Sequence, residues 1–268
     1  ERLGHAAAPD MSLTENALLS ASRREELEHR SMINWGKTRA FARKAATQGA
    51  HVVLVARDTE DLHRTKSDCM SRGAASAAAV TFDARDSNTF ADIYSAATAH
   101  DGIINAAVFV GSMAPQSDVD SDPNIGDQTI QDNFTGPVNF LHGLAPIMES
   151  RKGGTVLGIG SVAGDRGRIG NYTYGAAKAG FHTYLSGLRN RLNRSGGHVV
   201  TVKPGFVDTA MTWGIEGMFL VASPADIAND LWTAHEKRKN TLYTPWFWRY
   251  IMLIIRSIPE AIFKKLSV

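Results

Sequence analysis

Residues 155–180 read TVLGIGSVAGDRGRIGNYTYGAAKAG: a β-type run ends near Ser161, a glycine-rich loop follows, and a helical segment then carries Tyr174 and Lys178. Residues four apart on a helix share a face, so the phenol and the ammonium project into the same space. An ammonium beside a phenol favours the phenolate and lowers the tyrosine pKa. That suits proton donation to a developing alkoxide near neutral pH, or proton removal in the reverse direction. A nearby serine hydroxyl can hold the reacting oxygen. The same helical stripe continues through Phe181, Leu185, Leu188 and Leu192, an apolar face that would put the pair at the edge of a core. The alternative is a surface Tyr-x-x-x-Lys pair on an ordinary helix, and only its surroundings decide between the two.

Those surroundings are short β-branched runs alternating with longer helical patterns. Strands are expected at 51–56 (HVVLVA), 77–82 (AAAVTF), 102–106 (GIINA), 154–159 (GTVLGI), 198–203 (HVVTVK) and 241–244 (TLYT). They are apolar without strict alternation, as strands buried on both faces are. Helices are expected near 36–48, 58–72, 88–99, 126–150, 172–194 and 224–238. This alternation predicts a parallel sheet with helices on both faces. Ser223-Pro224-Ala225-Asp226 supplies an N-cap, a proline in the first turn and an acid near the helix start. Gly196-Gly197 ends the preceding helix.

The chain has 268 residues, 43% of them hydrophobic, enough for one large core. With 29 basic and 27 acidic residues the net charge is +2, and no nucleic-acid partner is expected. The one cysteine, Cys69, cannot form an internal disulfide and fits a reducing, cytoplasmic setting. No metal-ligand set is expected. Neither a signal peptide nor a membrane-spanning run of about 18 apolar residues is found, and the chain opens on Glu1.

Further motifs occur in order: INAAV (104–108), DNFTGPVNF (132–140), VKPGFVDTAM (202–211) and VTFDARD (80–86). With Ser161, Tyr174 and Lys178 they resemble the short-chain dehydrogenase/reductase family over most of the chain. The resemblance implies a single-domain, Rossmann-type doubly wound α/β fold and hydride transfer between a nicotinamide and a carbonyl or alcohol carbon. It implies that Ser161 positions the oxygen and Tyr174 transfers the proton. Lys178 would lower the tyrosine pKa and bind the nicotinamide ribose, and Asn133 would support a proton-relay water. Asn105 and Ala106 stand where the family has Asn-Ala-Gly, with Ala107 replacing the glycine. Asp83 matches the acid near the adenine. Pro204, Gly205 and Val207 belong to the segment over the nicotinamide, and Thr209 matches the threonine at the carboxamide. Homo-oligomers built on the Tyr-Lys helix are usual in the family.

In this fold an acid at the tip of the second strand selects NAD, and a basic residue admits the extra phosphate of NADP. Here Arg57 follows the strand, so NADP(H) is preferred; Asp58, one place on, keeps NAD(H) open. The phosphate loop is the anomaly. Only Gly36 precedes the first helix body, where two further glycines should lie. Residues 16–23, NALLSASR, look most like the first strand and turn but lack glycine. Three readings stand: a remodelled phosphate site behind a degenerate strand at 16–20, a segment arising from a shifted frame or mistaken start, or a chain that has lost its cofactor and acts as a partner protein. The expected organisation is an atypical arm at 1–30, a reductase domain at 31–245 and a C-terminal tail at 246–268.

The tail, PWFWRYIMLIIRSIPEAIFKKLSV from Pro245, sets aromatic and aliphatic residues beside Arg249, Arg256, Lys264 and Lys265, with Glu260 the one acid and Pro259 a break. Such a segment suits the headgroup layer of a membrane or closes a pocket or an oligomer contact. With the Tyr-Lys stretch it resembles bacterial reductases related to decaprenylphosphoryl-keto-pentose reductase. That likeness implies a ketone on a polyprenyl-phosphate-linked sugar, a partner oxidase that makes it, and a peripheral site on the inner face of the cell membrane. A reductase of a small soluble lipophilic ketone is the other reading.

Overall fold

All strand pairings in the structure, a computed structural model describing residues 35–205 and 222–266, are parallel. In chain order the strands are β1 His51–Ala56, β2 Ser76–Thr81, β3 Ala106–Val108, β4 Thr155–Ile159, β5 His198–Pro204 and β6 Thr241–Thr244. The longer helices are α1 Trp35–Thr47, α2 Thr59–Ser71, α3 Phe90–Thr98, then α4 Gln116–Ser121, α5 Pro123–Ile130, α6 Gly136–Ser150 and α7 Tyr172–Asn193. Last come α8 Pro224–Glu236, α9 Trp248–Ser257 and the single turn α10 Glu260–Phe263. The α/β reading of the sequence holds.

β4 and β5 occupy the middle of a four-stranded sheet, β3-β4-β5-β6, and all five residues of β4 are buried. Their side chains alternate between two cores. Val156 and Val199 join Phe140, Leu141, Phe181, Leu185 and Leu192 on one face. Leu157, Ile159, Val200 and Val202 meet Ile227 and Leu231 of α8 on the other. Each such buried aliphatic side chain contributes about 1.5–3 kcal/mol by its removal from water, which is why these strands read as continuous apolar runs. α7 buries the stripe foreseen for it, with Phe181, Leu185 and Leu192 at most 1% exposed. Ser223 caps α8 by accepting from the Asp226 amide at 3.1 Å.

Two local expectations need correction. β3 starts at Ala106, not 102, because Gly102 turns the chain at a φ of +113° and Asn105 is spent holding the start of β4: its Oδ1 accepts from the Thr155 amide at 2.8 Å. The helix expected over 126–150 is instead α5 and α6 joined by a wide π turn, Gln131–Thr135.

β1 and β2 form a separate two-stranded sheet. The chain runs from β1 outward to β2 and then returns to β3, so a topological switch point lies between β1 and β3. That place is a slot of about 470 Å³, lined by the consecutive residues 51–57 of one edge and 103–112 of the other, and floored by Phe41 and Ala42 of α1. Both bordering strands turn an unpaired backbone edge to it among the described residues.

Candidate active site

Two residues after the end of β4, Ser161 caps a short 3-10 turn, Val162–Asp165, by accepting from the Ala163 amide at 3.1 Å. Its hydroxyl hydrogen is left to point elsewhere. Tyr174 stands in the first turn of α7 and is buried. Burial pushes its phenol above the ordinary pKa, while a hydrogen bond from Ser161 and the charge of Arg168 pull the other way. At neutral pH the group is a protonated phenol aimed at Ser161, the state a proton donor needs.

Lys178, one turn on, is buried, and burial lowers its pKa to about 8 against the opposing charge of Asp132. Its Nζ donates to the carbonyls of Val110 (3.3 Å) and Ile159 (3.2 Å) and lies 5.8 Å from the Tyr174 ring centre. The Arg168 charge thus acts on the phenol, and the Lys178 ammonium, one turn along the same helix, faces the Val110 and Ile159 carbonyls. Asn133 sits in the π turn, fully buried, with Nδ2 donating to Ser112 O (2.6 Å) and Thr129 O (2.8 Å). Its Oδ1 has no partner among the described residues. The turn is locked by Arg85, which grips Asp132 through two bonds of 2.7 and 2.9 Å, and by Ser112 Oγ, which donates to the same carboxylate. Gly111 is required here: a Cβ on it would stand 2.5 Å from Asn133 Oδ1 and 3.0 Å from Lys178 Nζ.

The remaining expected residues are placed unequally. Arg57 and Asp83 face the same slot at the carboxyl ends of β1 and β2. Gly36 lies in the first turn of α1. Asn105 and Ala106 line the same slot, Asn105 just before β3 and Ala106 as its first residue, and the chain beyond β3 brings Gly111 against Asn133 and Lys178. Asp58 is spent as the N-cap of α2, accepting from the Asp61 amide at 3.0 Å. Pro204 ends β5, and Gly205 lies so close to the Trp248 indole that a side chain there would overlap it. Val207 and Thr209 lie outside the described residues. Gly111, Arg168, Arg85, Asp132 and His182 were missed. A glycine a few residues past a strand and two arginines in the loop between Ser161 and Tyr174 were the available signals.

Beneath Ser161, His182 is wedged against Gly160 and Gly164, and its Nε2 accepts from the Ser161 amide at 3.3 Å. Asp165 joins Lys203 at 2.5 Å and accepts from the Tyr243 hydroxyl at 2.7 Å; its Oδ1 is 3.9 Å from His182 Nδ1. Burial, and then the Lys203 charge, lower the His182 pKa to about 3. The unfolded chain, with an ordinary histidine, takes up the proton first as pH falls, so stability drops below about pH 6.5. Unfolding free energy should fall by roughly 2 kcal/mol from pH 7 to pH 5 on this account. Denaturant titrations of wild type and His182→Gln check it; equal pH slopes would exclude the histidine as the cause.

The residues present fit a nicotinamide dinucleotide at its reactive end: an orphaned buried amide oxygen, a buried amine and a glycine with no room for a side chain converge on one point beside Tyr174. The model of the short chain dehydrogenase family matches residues 36–218. The chain belongs to that family, the NAD(P)-dependent oxidoreductases acting on alcohol and ketone groups. It is 29% identical over 227 residues to an uncharacterized oxidoreductase of Mycobacterium tuberculosis, covering 84% of this chain and 91% of that one. It is 31% identical over 184 residues to a sulfoacetaldehyde reductase of Chromohalobacter salexigens, covering 66% and 70%. A crystal structure of a short-chain dehydrogenase/reductase from Burkholderia xenovorans has the same fold, with a TM-score of 0.70 at 24% identity over 79% of this chain and 89% of that one.

Proposed function

We propose that the chain uses NADPH to reduce a ketone on a hydrophobic, membrane-resident substrate, of the class of polyprenyl-phosphate-linked keto sugars. The observation that carries the reduction is the buried, protonated phenol of Tyr174 held to Ser161. When bound, the dinucleotide supplies a hydride to the carbonyl carbon and leaves as NADP⁺. Ser161 and Tyr174 hydrogen-bond the carbonyl oxygen, and Tyr174 gives it a proton as the alkoxide forms. Asn133, Lys178, Pro204 and Gly205 would hold the nicotinamide end, and Arg57 and Asp83 the adenosine end. Arg57 at the tip of β1, with Asp58 already engaged as a cap, supports NADPH over NADH.

The tail supports the hydrophobic substrate. Arg166 of the catalytic loop donates to Ile255 O (2.6 Å) and Ile258 O (2.7 Å), pairs with Glu260 and stacks over Phe263. Val162 packs on Trp248 and Met252. The tail is thus bolted to the turn that carries Ser161, while Trp246, Tyr250, Leu253 and Ile254 are all more than half exposed along its outer side. With Arg249, Lys264 and Lys265 nearby, that side suits the headgroup layer of an anionic membrane. No helix among the described residues is long and apolar enough to cross a membrane. An oxidase producing the ketone would be the functional partner, and a homo-oligomer the assembled form.

A small soluble carbonyl compound is the second reading, favoured by the likeness to a sulfoacetaldehyde reductase. Two measurements decide. Nicotinamide fluorescence should report NADPH binding about tenfold tighter than NADH; no binding of either removes the reductase reading. Flotation with phosphatidylglycerol vesicles should carry the protein, and replacing Trp246, Tyr250, Leu253 and Ile254 by serine should release it. A wild type that stays with the soluble fraction favours the second reading.

The first strand expected at 16–20 lies outside the described residues; the unpaired edges of β1 and β3 mark the place that such a parallel strand would take. A strand followed by α1 and then β1 makes a right-handed crossover only from that side.

A further inference from the structure

Between the 3-10 turn of Ser161 and the start of α7 lies Arg168. Its Nε is shut off from solvent and has no hydrogen-bond partner, and among the described residues the side chain makes no ion pair. The nearby carboxylate, Asp165, is already engaged by Lys203 and Tyr243. The other arginine of the loop, Arg166, is consumed by the tail. Burial lowers the Arg168 pKa from its usual value, yet a guanidinium stays charged at neutral pH. Arg168 lies in the loop that joins the turn of Ser161 to the helix of Tyr174, within electrostatic range of that phenol. Asn171, three residues on, also has a buried side-chain oxygen without a partner. The orientation of a side-chain amide follows its partners, so this group can present its NH₂ instead.

A half-buried cation with an unmet donor is costly unless something charged completes it. The planar fork of a guanidinium matches a pair of oxygens on one tetrahedral centre. We propose that Arg168 binds a tetrahedral oxyanion, a phosphate or sulfonate, attached close to the carbonyl carbon of the substrate, with Asn171 as a second donor. The inference rests on Tyr174 being the proton donor and narrows the substrate to carbonyl compounds that carry an anionic group near the ketone. A lipid phosphodiester and a soluble phosphate ester share that chemistry.

The test compares hydroxyacetone phosphate with hydroxyacetone, which share one carbonyl and differ by the phosphate. With NADPH, wild type should show kcat/KM for the phosphate ester at least about 30-fold above the neutral ketone, mainly through KM. In Arg168→Gln the ratio should collapse to within about threefold, and Arg168→Lys, which keeps the charge but not the fork, should restore part of it. A wild-type ratio near one, or an unchanged ratio in Arg168→Gln, overturns the proposal. If neither small ketone is reduced, binding alone decides, and the reductase reading stands or falls separately on NADPH binding. Calorimetric titration of hydroxyacetone phosphate should show at least about tenfold weaker affinity for Arg168→Gln than for wild type, and equal affinity sinks it. A keto-sugar phosphodiester bearing a short prenyl chain, offered in vesicles, separates the two sources: preference for it over the soluble ester by the same Arg168-dependent ratio identifies the lipid.

Discussion

Tyr174→Phe is expected to lower kcat for ketone reduction by about 10³-fold while leaving NADPH affinity within about threefold. The substitution removes one hydroxyl and keeps the ring that fills the space at the base of α7, where the residue is 8% exposed. The fold should therefore persist, and the loss should fall on the proton alone. Ser161 is no substitute donor, because an aliphatic hydroxyl is a far weaker acid than a phenol. Lys178 is none either, since its ammonium is bonded to the Val110 and Ile159 carbonyls. Stopped-flow reduction and a fluorescence titration of the same variant separate the two quantities. Turnover near the wild-type rate would mean that another group delivers the proton.

Leu18→Lys with Leu19→Lys should abolish NADPH binding and strip hydrogen-exchange protection from the β1 and β3 amides. The argument is one of unpaired backbone. β1 is bonded only to β2, and β3 only to β4, among the described residues. Buried edges of this kind are costly, since each unpaired amide or carbonyl forfeits its water partner without replacement. A parallel strand seated between them satisfies both rows and joins the two sheets into one. If residues 16–20 supply that strand, its side chains would be buried on both faces, and two lysines could not be accommodated without taking charges out of water. Exchange mass spectrometry of peptides spanning 51–56 and 106–108 reads the outcome. Unchanged protection in the double variant would show that 16–20 does not occupy the slot.

Much of the site was legible before any coordinates. The spacing of Tyr174 and Lys178, the apolar stripe behind them and the strand ending at Ser161 are local facts, and local periodicity reports them faithfully. Five strands were located to within a residue because each is a short run of β-branched and other apolar residues set between helical patterns. The third strand was misplaced by four residues because its apolar run continues on both sides of Asn105. Which part forms the ladder depended on Gly102 turning the chain and on the Asn105 side chain meeting the Thr155 amide fifty residues away. The expected strand thus took in the residues before β3, and Gly111, three residues past its end, went unnoticed.

The sequence by itself determined the alternation of strand and helix, the family, and the serine, tyrosine and lysine at the centre, because these depend on residue type and on separations within one element. Only the tertiary structure decided that the Arg168 charge reaches the phenol, which carboxylate was spent as a helix cap, and that the tail is fastened to the catalytic turn. Those depend on distances between residues far apart in the chain. Electrostatic and packing energies follow distance in space, and that distance exists only once the sheet has brought the loops together.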